Sequence, residues 1–91
     1  MDDSTRQFFF SGQVQGVGFR WTVSRLAAEL TVTGFVRNLA DGRVEAVVSG
    51  HQAAIESLLD AIRQHFRGNI ESVEQMAIEP VREFSSFEIR H

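Results

Sequence analysis

The sequence predicts an α+β fold in which two helices cover one face of an antiparallel sheet. Five segments carry the alternating or continuous apolar residues of strands, and two carry apolar residues at the three- and four-residue spacing of helices. The predicted strands span residues 6–11, 33–39, 43–49, 70–79 and 86–90, and the predicted helices span residues 20–30 and 51–66. The order β-α-β-β-α-β plus a short terminal strand is that of a ferredoxin-like split β-α-β sandwich.

The first strand and first helix begin the predicted core. Phe8 and Phe10 share one face of the strand and Phe9 points to the other, because side chains alternate along a strand. The first helix carries one apolar stripe, formed by Phe19, Val23, Leu26, Ala27 and Leu30. Trp21 either lines the mouth of a pocket or packs against the fold. We expect residues 1–5 to form a frayed tail.

The remaining elements follow the same two periodicities. Residues 40–42 form a short hairpin turn, and Val44, Ala46 and Val48 then alternate toward the core. The second helix carries an apolar stripe of Ile55, Leu58, Leu59, Ile62 and Phe66, and Gly68 is a natural stop after it. Pro80 ends the fourth strand, and the last strand points Phe87 and Ile89 inward.

Composition excludes several classes of protein. Ninety-one residues make one domain, spanning residues 1–91, and the chain has no cysteine for disulfides, thiolate metal sites or nucleophilic catalysis. The formal charge of −3 argues against binding to nucleic acid. The polar, acidic start is unlike a secretory signal, and no apolar run approaches the length of a membrane span. We therefore expect a soluble cytoplasmic monomer that binds neither nucleic acid nor membrane.

The segment from Gly12 to Arg20, Gly-Gln-Val-Gln-Gly-Val-Gly-Phe-Arg, has the features of an anion site. Gly16 and Gly18 can adopt positive φ, which lets successive N–H groups point into one concavity. The helix that follows adds unpaired N–H groups and the positive end of its dipole. Arg20 can bind two oxygens of a phosphate or carboxylate. A tight turn with a surface arginine is the alternative, and neither nucleotide-binding fingerprint is present.

A second segment turns this pattern into a family resemblance. Residues 34–38 read Gly-Phe-Val-Arg-Asn, and residues 41–45 read Asp-Gly-Arg-Val-Glu. With the glycine-rich loop, these motifs resemble the signature of the acylphosphatase family, Gly-x-Val-Gln-Gly-Val-x-Phe-Arg, then Gly-Trp/Phe-Val-x-Asn and Asp-Gly-x-Val-Glu. The resemblance covers nearly the whole chain in length and in the order of elements.

The resemblance implies hydrolysis of small acyl phosphates to a carboxylate and inorganic phosphate. It assigns phosphate binding to Arg20 and the loop, and the positioning of the attacking water to Asn38. The substrate-binding residues of the loop are then Gln15, Gly16, Val17, Gly18 and Phe19. A carboxylate is a good leaving group, and phosphoryl transfer depends mainly on positioning and charge stabilisation. We therefore expect neither a metal nor another cofactor.

Other polar residues have ordinary structural interpretations. Asn38 alone could merely cap the hairpin, and only its place in the motif favours a catalytic role. Asp41 is expected to make the turn, Glu45 to be solvated or ion-paired, and Arg37 to point away from Asn38. His51, His65 and His91 are interpreted as surface residues. Thr31 stands where the family often has a glycine after the first helix, so the helix either ends differently or tolerates strain of about 1 kcal/mol.

Three other functions compete with a free-standing acylphosphatase. The first is a binding or regulatory module that kept the fold without useful turnover. The second resembles the acylphosphatase-like domain of large carbamoyl-transferring hydrogenase-maturation proteins, with carbamoyl phosphate as the substrate; the short chain without zinc-finger cysteines argues against it, unless the chain is an excised domain. The third is a nucleic-acid module of the same sandwich, which the acidic balance disfavours. Because fold alone would not separate these functions, Arg20 and Asn38 favour the enzyme.

Overall fold

A computed structural model describes residues 3–91 as two helices packed on a five-stranded sheet. The strands are β1 (Asp3–Gly12), β2 (Thr33–Asn38), β3 (Val44–His51), β4 (Ile70–Ala77) and β5 (Phe87–Arg90), and the helices are α1 (Phe19–Glu29) and α2 (Gln52–His65). The strand order in the sheet is β4-β1-β3-β2-β5. This is the predicted ferredoxin-like α+β architecture. Within the described residues, no helix is long and apolar enough to cross a membrane.

The sheet is mixed, so the prediction of an antiparallel sheet is wrong for its last strand. β1 pairs antiparallel with β3 and β4, and β2 pairs antiparallel with β3, but β5 runs parallel to β2. The reason is the path of residues 78–86, which cross one end of the sheet from the edge strand β4 to the opposite edge. Along this path the N–H of Ile78 donates to Thr5 O, and the N–H of Gly34 donates to Ser86 O. β5 therefore starts at the end of the sheet where β2 starts.

The first strand begins earlier than predicted, and residues 3–5 are not a frayed tail. β1 starts at Asp3, and Thr5 is only 2% exposed. The extension exists because β3 continues to His51 and gives these residues backbone partners, with Asp3 opposite His51. The polar side chains of this segment gave no sign of that pairing. The first two residues of the predicted tail lie outside the described part of the chain.

The core lies between the sheet and the two helices. Phe8 and Phe10 are buried on the face that α1 and α2 cover, and the ring of Phe19 lies 5.1 Å from Phe10 and 4.6 Å from Phe66. Each such side chain contributes roughly 1.5–3 kcal/mol of burial. The predicted apolar stripes of the two helices supply the rest of the core, although Leu26, Leu30 and Leu59 lie at the margin of the core and are only partly buried. This aromatic cluster therefore packs against the start of α1 on the side of the helix that faces the core.

A strained residue, Thr31, follows the end of helix α1, which is one of the two outcomes that the sequence left open. Thr31 has a φ of +56°, and it is the one non-glycine residue with a positive φ among residues 3–91. A β-branched side chain is disfavoured there because its Cβ approaches the backbone. The hydroxyl of Thr31 donates to Leu30 O at 2.6 Å, and this contact satisfies one carbonyl at the end of the helix.

Candidate active site

A cleft of about 260 Å³ opens at the end of the sheet where β2 and β5 finish. The loop after β1 and the first turn of α1 form one wall, and the ends of β2 and β5 form the other. Nine residues line it: Val14, Gly16, Gly18, Phe19, Arg20, Trp21, Asn38, Ile89 and His91. The fold thus brings residues from three distant segments of the chain to one place.

The glycine-rich loop has the backbone conformation that the sequence predicted. Gly16 has a φ of +78° and Gly18 a φ of +76°, both in the left-handed region. No atom lies within 4 Å of a Cβ built at either position, so what requires glycine is the backbone conformation and not close packing. Gly18 is also the N-cap of α1, and no side chain caps the first turn. Acidic residues are likewise missing from that turn, so its positive dipole end is not neutralised locally.

Gln15 fixes the loop against the opposite wall. Its side-chain Nε2 donates to Leu39 O and to Arg43 O, both at 2.9 Å, which ties the loop to the hairpin turn after β2. The side chain of Gln15 is thus a structural brace and does not line the cleft. Val17 is 45% exposed and also lies outside the lining. Three of the five predicted substrate-binding residues, Gly16, Gly18 and Phe19, line the cleft.

Arg20 is held by the end of β5. Its Nη1 donates to Arg90 O at 3.3 Å and lies 3.3 Å from the ring Nδ1 of His91. No carboxylate forms an ion pair with this guanidinium within the described residues. The other guanidinium nitrogens therefore remain available to oxygens of an anion, and the two contacts hold the group at the cleft wall.

Asn38 carries the most unusual polar atom of the site. Its Oδ1 is buried and accepts no hydrogen bond, and it is the one buried side-chain polar atom without a partner among residues 3–91. A buried acceptor left unpaired costs about 1–3 kcal/mol. Asn38 also lines the cleft, so its side-chain amide borders the space beside Arg20, although Oδ1 itself is buried.

The polar neighbours of Asn38 are paired among themselves, as the sequence suggested. Glu45 is buried and accepts from Arg37 Nε and Gln7 Nε2, both at 2.6 Å. Asp41 makes the hairpin turn, where the N–H of Arg43 and then its side chain lower the pKa of the Asp41 carboxyl. None of these residues lines the cleft. Across residues 3–91, His, Asp and Glu side chains form no group of three or more that could hold a metal ion.

His91 is the site residue that sequence reasoning missed. All three histidines are exposed, as predicted, but His91 also lines the cleft and contacts Arg20. No local pattern marks it, since its position depends on β5 running parallel to β2. Ile89, predicted only to face inward, contributes to the same wall. Trp21 lines the cleft and is 59% exposed, so it lies at the mouth of a pocket and is not packed into the fold.

Comparison with known proteins places the whole chain in one group. Residues 6–89 match the family described as Acylphosphatase. A curated acylphosphatase from Synechococcus sp. strain JA-2-3B'a(2-13) is 45% identical over 92 residues, a match covering 99% of this chain and 97% of that protein.

Solved structures agree with the sequence matches. An acylphosphatase from Coxiella burnetii has a TM-score of 0.86 and 32% identity, with 98% of this chain and 94% of that chain covered. HypF from T. kodakarensis has a TM-score of 0.84 and 30% identity, but the match covers 97% of this chain and only 12% of that one. The same fold therefore occurs both as nearly a whole chain and as a small part of a longer one.

Proposed function

The chain belongs to the acylphosphatase family of hydrolases, and we propose that it cleaves small acyl phosphates at the cleft between Arg20 and Asn38. The observation that supports this proposal most is that one cleft is lined by Asn38, by the uncapped N-terminus of α1 and by Arg20, which has no carboxylate partner among residues 3–91. A side-chain amide for a nucleophile and a set of donors for a phosphate therefore converge on one space.

The phosphate of the substrate binds at the glycine-rich loop. The N–H groups of the loop residues that line the cleft and the guanidinium of Arg20 donate to its non-bridging oxygens, and the N-terminal end of α1 favours its negative charge. These donors stabilise the charge on the equatorial oxygens as the transition state forms. Arg90 O and His91 hold Arg20 in place, so little reorganisation is needed when the substrate arrives.

Asn38 positions the attacking water. Its side-chain amide borders the cleft, hydrogen-bonds the water and holds it in line with the bond between phosphorus and the acyl oxygen. A strong general base is not needed, because the departing carboxylate is the conjugate base of an acid with a pKa of about 4. The P–O bond to the acyl group breaks, the water oxygen bonds to phosphorus, and the products are a carboxylate and inorganic phosphate. The water's protons pass to phosphate oxygens and solvent.

Two alternatives share this geometry. Carbamoyl phosphate offers the same phosphate and the same kind of activated bond, so the cleft also admits it as a substrate. A module that binds phosphate without turnover would keep the loop and Arg20 but would have no use for the side-chain amide of Asn38. The position of Asn38 at the cleft beside Arg20 therefore favours the enzyme over the binding module.

Phosphate release tests the proposal. We expect the purified protein to release phosphate from benzoyl, acetyl or carbamoyl phosphate, and the rate to be unchanged by a chelator, since the proposed donors are all protein groups. Binding of inorganic phosphate without any release would support the binding module. Activity that a chelator abolishes and magnesium or zinc restores would overturn the metal-independent mechanism.

A further inference from the structure

The one tryptophan of the chain stands exposed at the edge of the anion site. Trp21 is 59% exposed and lies directly after Arg20, in the first turn of α1. It lines the cleft, although the rest of α1 turns its large apolar residues toward the sheet. An exposed tryptophan that borders a cleft needs an explanation beyond folding, because burial would stabilise the fold more.

Arg25 holds the tryptophan ring in place. The guanidinium carbon of Arg25 lies 5.0 Å from the centre of the Trp21 ring, one helical turn further along α1. This cation–π contact covers one side of the ring, and the cleft borders another part of it. Because the ring is oriented before any ligand arrives, it forms a ready apolar surface beside Arg20.

The cleft has room for more than a phosphate. If each heavy atom of a phosphate takes the volume of one water, ~30 Å³, the phosphate fills little more than half of the 260 Å³ cleft. The loop glycines, Arg20 and Asn38 surround the polar part of this space, whereas Trp21 and Ile89 supply apolar lining. An acyl phosphate has the same division, with a charged phosphate at one end and an acyl group at the other.

We propose that Trp21 is a specificity-determining residue whose ring packs against the acyl group and favours acyl phosphates with an aromatic or extended apolar group over acetyl phosphate. The inference rests on the proposed function, because it assumes that the phosphate binds between the loop and Arg20. Stacking an aromatic acyl group on a pre-oriented ring adds contact that an acetyl group is too small to make. The preference therefore concerns the acyl end and leaves the phosphate contacts as they are.

The kinetic test compares two substrates. We expect Trp21→Ala to lower the ratio of kcat/KM for benzoyl phosphate to kcat/KM for acetyl phosphate by about tenfold. Trp21→Phe keeps a flat ring and should retain that ratio within about threefold. Met76→Ala is the matched control, since Met76 is 56% exposed but lies on β4 outside the cleft, and its ratio should equal the parent's. Equal losses on both substrates, or no loss, would overturn the proposal.

Fluorescence gives a second readout that does not require turnover. Trp21 is the sole tryptophan, so the emission of the parent protein reports on this ring alone. Benzylphosphonate, a non-hydrolysable anion with an aromatic group, should change the emission with a midpoint equal to its dissociation constant from calorimetry, and inorganic phosphate should change it much less. Calorimetric binding of benzylphosphonate with unchanged emission would show that its ring binds elsewhere and would refute the assignment.

The two experiments separate this inference from the proposed function. If the parent hydrolyses neither benzoyl nor acetyl phosphate, the enzymatic proposal fails, and the fluorescence titration still decides whether the ring contacts an aromatic anion. If both substrates are hydrolysed and Trp21→Ala leaves their ratio unchanged, the enzymatic proposal stands and the role of Trp21 is refuted.

Discussion

Buried polar atoms are handled differently at the two ends of the sheet. At the end where β2 finishes, the Oδ1 of Asn38 is buried and has no hydrogen-bond partner within residues 3–91. At the opposite end, the Thr5 hydroxyl bonds with Ser49 Oγ at 2.7 Å and accepts from the N–H of Arg82 at 2.8 Å. Both atoms belong to strands of one sheet, yet only one of them is satisfied by the protein itself.

The two ends of helix α1 also differ in the residue that adopts a positive φ. At the cleft end of α1, Gly18 adopts positive φ without strain, since glycine has no Cβ. At the far end of the same helix, Thr31 adopts positive φ at a cost of about 1 kcal/mol. At this helix, therefore, glycine stands at the end that borders the cleft, and the strained residue stands at the end where only the chain direction changes.

The largest effect is expected at Arg20. Arg20→Lys should lower kcat/KM by about 10²–10³-fold, because an ammonium cannot replace a planar two-point contact in the transition state. Inhibition by inorganic phosphate should weaken as well, since the same contact binds the ground state. Arg63→Lys, an exposed position on α2, is the matched control and should behave as the parent. Turnover of the Arg20 variant within a few-fold of the parent would eliminate the proposed contact.

Asn38 should show a different kinetic pattern. Asn38→Ala is expected to lower kcat by about 10²-fold while competitive inhibition by inorganic phosphate stays near the parent value, because the water contact matters mainly in the transition state. Steady-state kinetics with phosphate as inhibitor separates the two effects. A variant that loses phosphate inhibition and turnover together, with intact circular dichroism, would move Asn38 into the anion site.

The aspartate variant sharpens the same assignment. Asn38→Asp nearly preserves shape but puts a negative charge beside the phosphate dianion, and like charges repel strongly in a partly desolvated site. If a neutral amide merely holds the water, this variant should also be slow when its kcat is measured. An aspartate variant as fast as the parent would show that a base is tolerated there.

Thr5 should affect stability without affecting chemistry. Thr5→Val keeps the shape of the side chain but leaves the Arg82 N–H and the Ser49 hydroxyl without their partner, at a cost of about 1–3 kcal/mol. The Tm should fall by roughly 4–8 °C for each kcal/mol in a domain of this size. Activity per folded molecule should be unchanged, because this cluster lies at the end of the sheet away from the cleft. A drop in kcat at temperatures where the variant is fully folded would contradict the separation of the two ends.

The smallest effect is expected at Thr31. Thr31→Gly should raise the free energy of unfolding by up to about 1 kcal/mol, since glycine relieves the positive φ while losing the hydroxyl bond to Leu30 O. Thr31→Ala keeps a Cβ in the same backbone conformation and should give no gain. Denaturant titrations of the three proteins make the comparison, and equal stability of the glycine and alanine variants would argue that no strain is stored there.

Local pattern was sufficient for much of the fold and of the candidate site. Strand and helix periods predicted every element, because side-chain alternation and helical spacing are properties of adjacent residues. The positive φ of Gly16 and Gly18 followed from residue type in the same way. At Thr31 the departure from the family pattern left two outcomes open, a different helix end or strain, and the structure shows the positive φ. Arg20 and Asn38 were identified by motifs within single segments, and the cleft brings these two segments together.

Only the tertiary structure decided which distant groups meet. The parallel pairing of β5 with β2 depends on where residues 78–86 cross the sheet, and it carries His91 to Arg20. The pairing of Asp3 with His51 depends on how far β3 extends. Whether a buried polar atom finds a hydrogen-bond partner depends on all the residues around it. Within residues 3–91 these neighbours leave Asn38 Oδ1 without a partner but give the Thr5 hydroxyl two. Such contacts join residues tens of positions apart, and their free energy comes from pairing between distant segments of the chain. The periodicity of apolar residues within one segment therefore does not predict them.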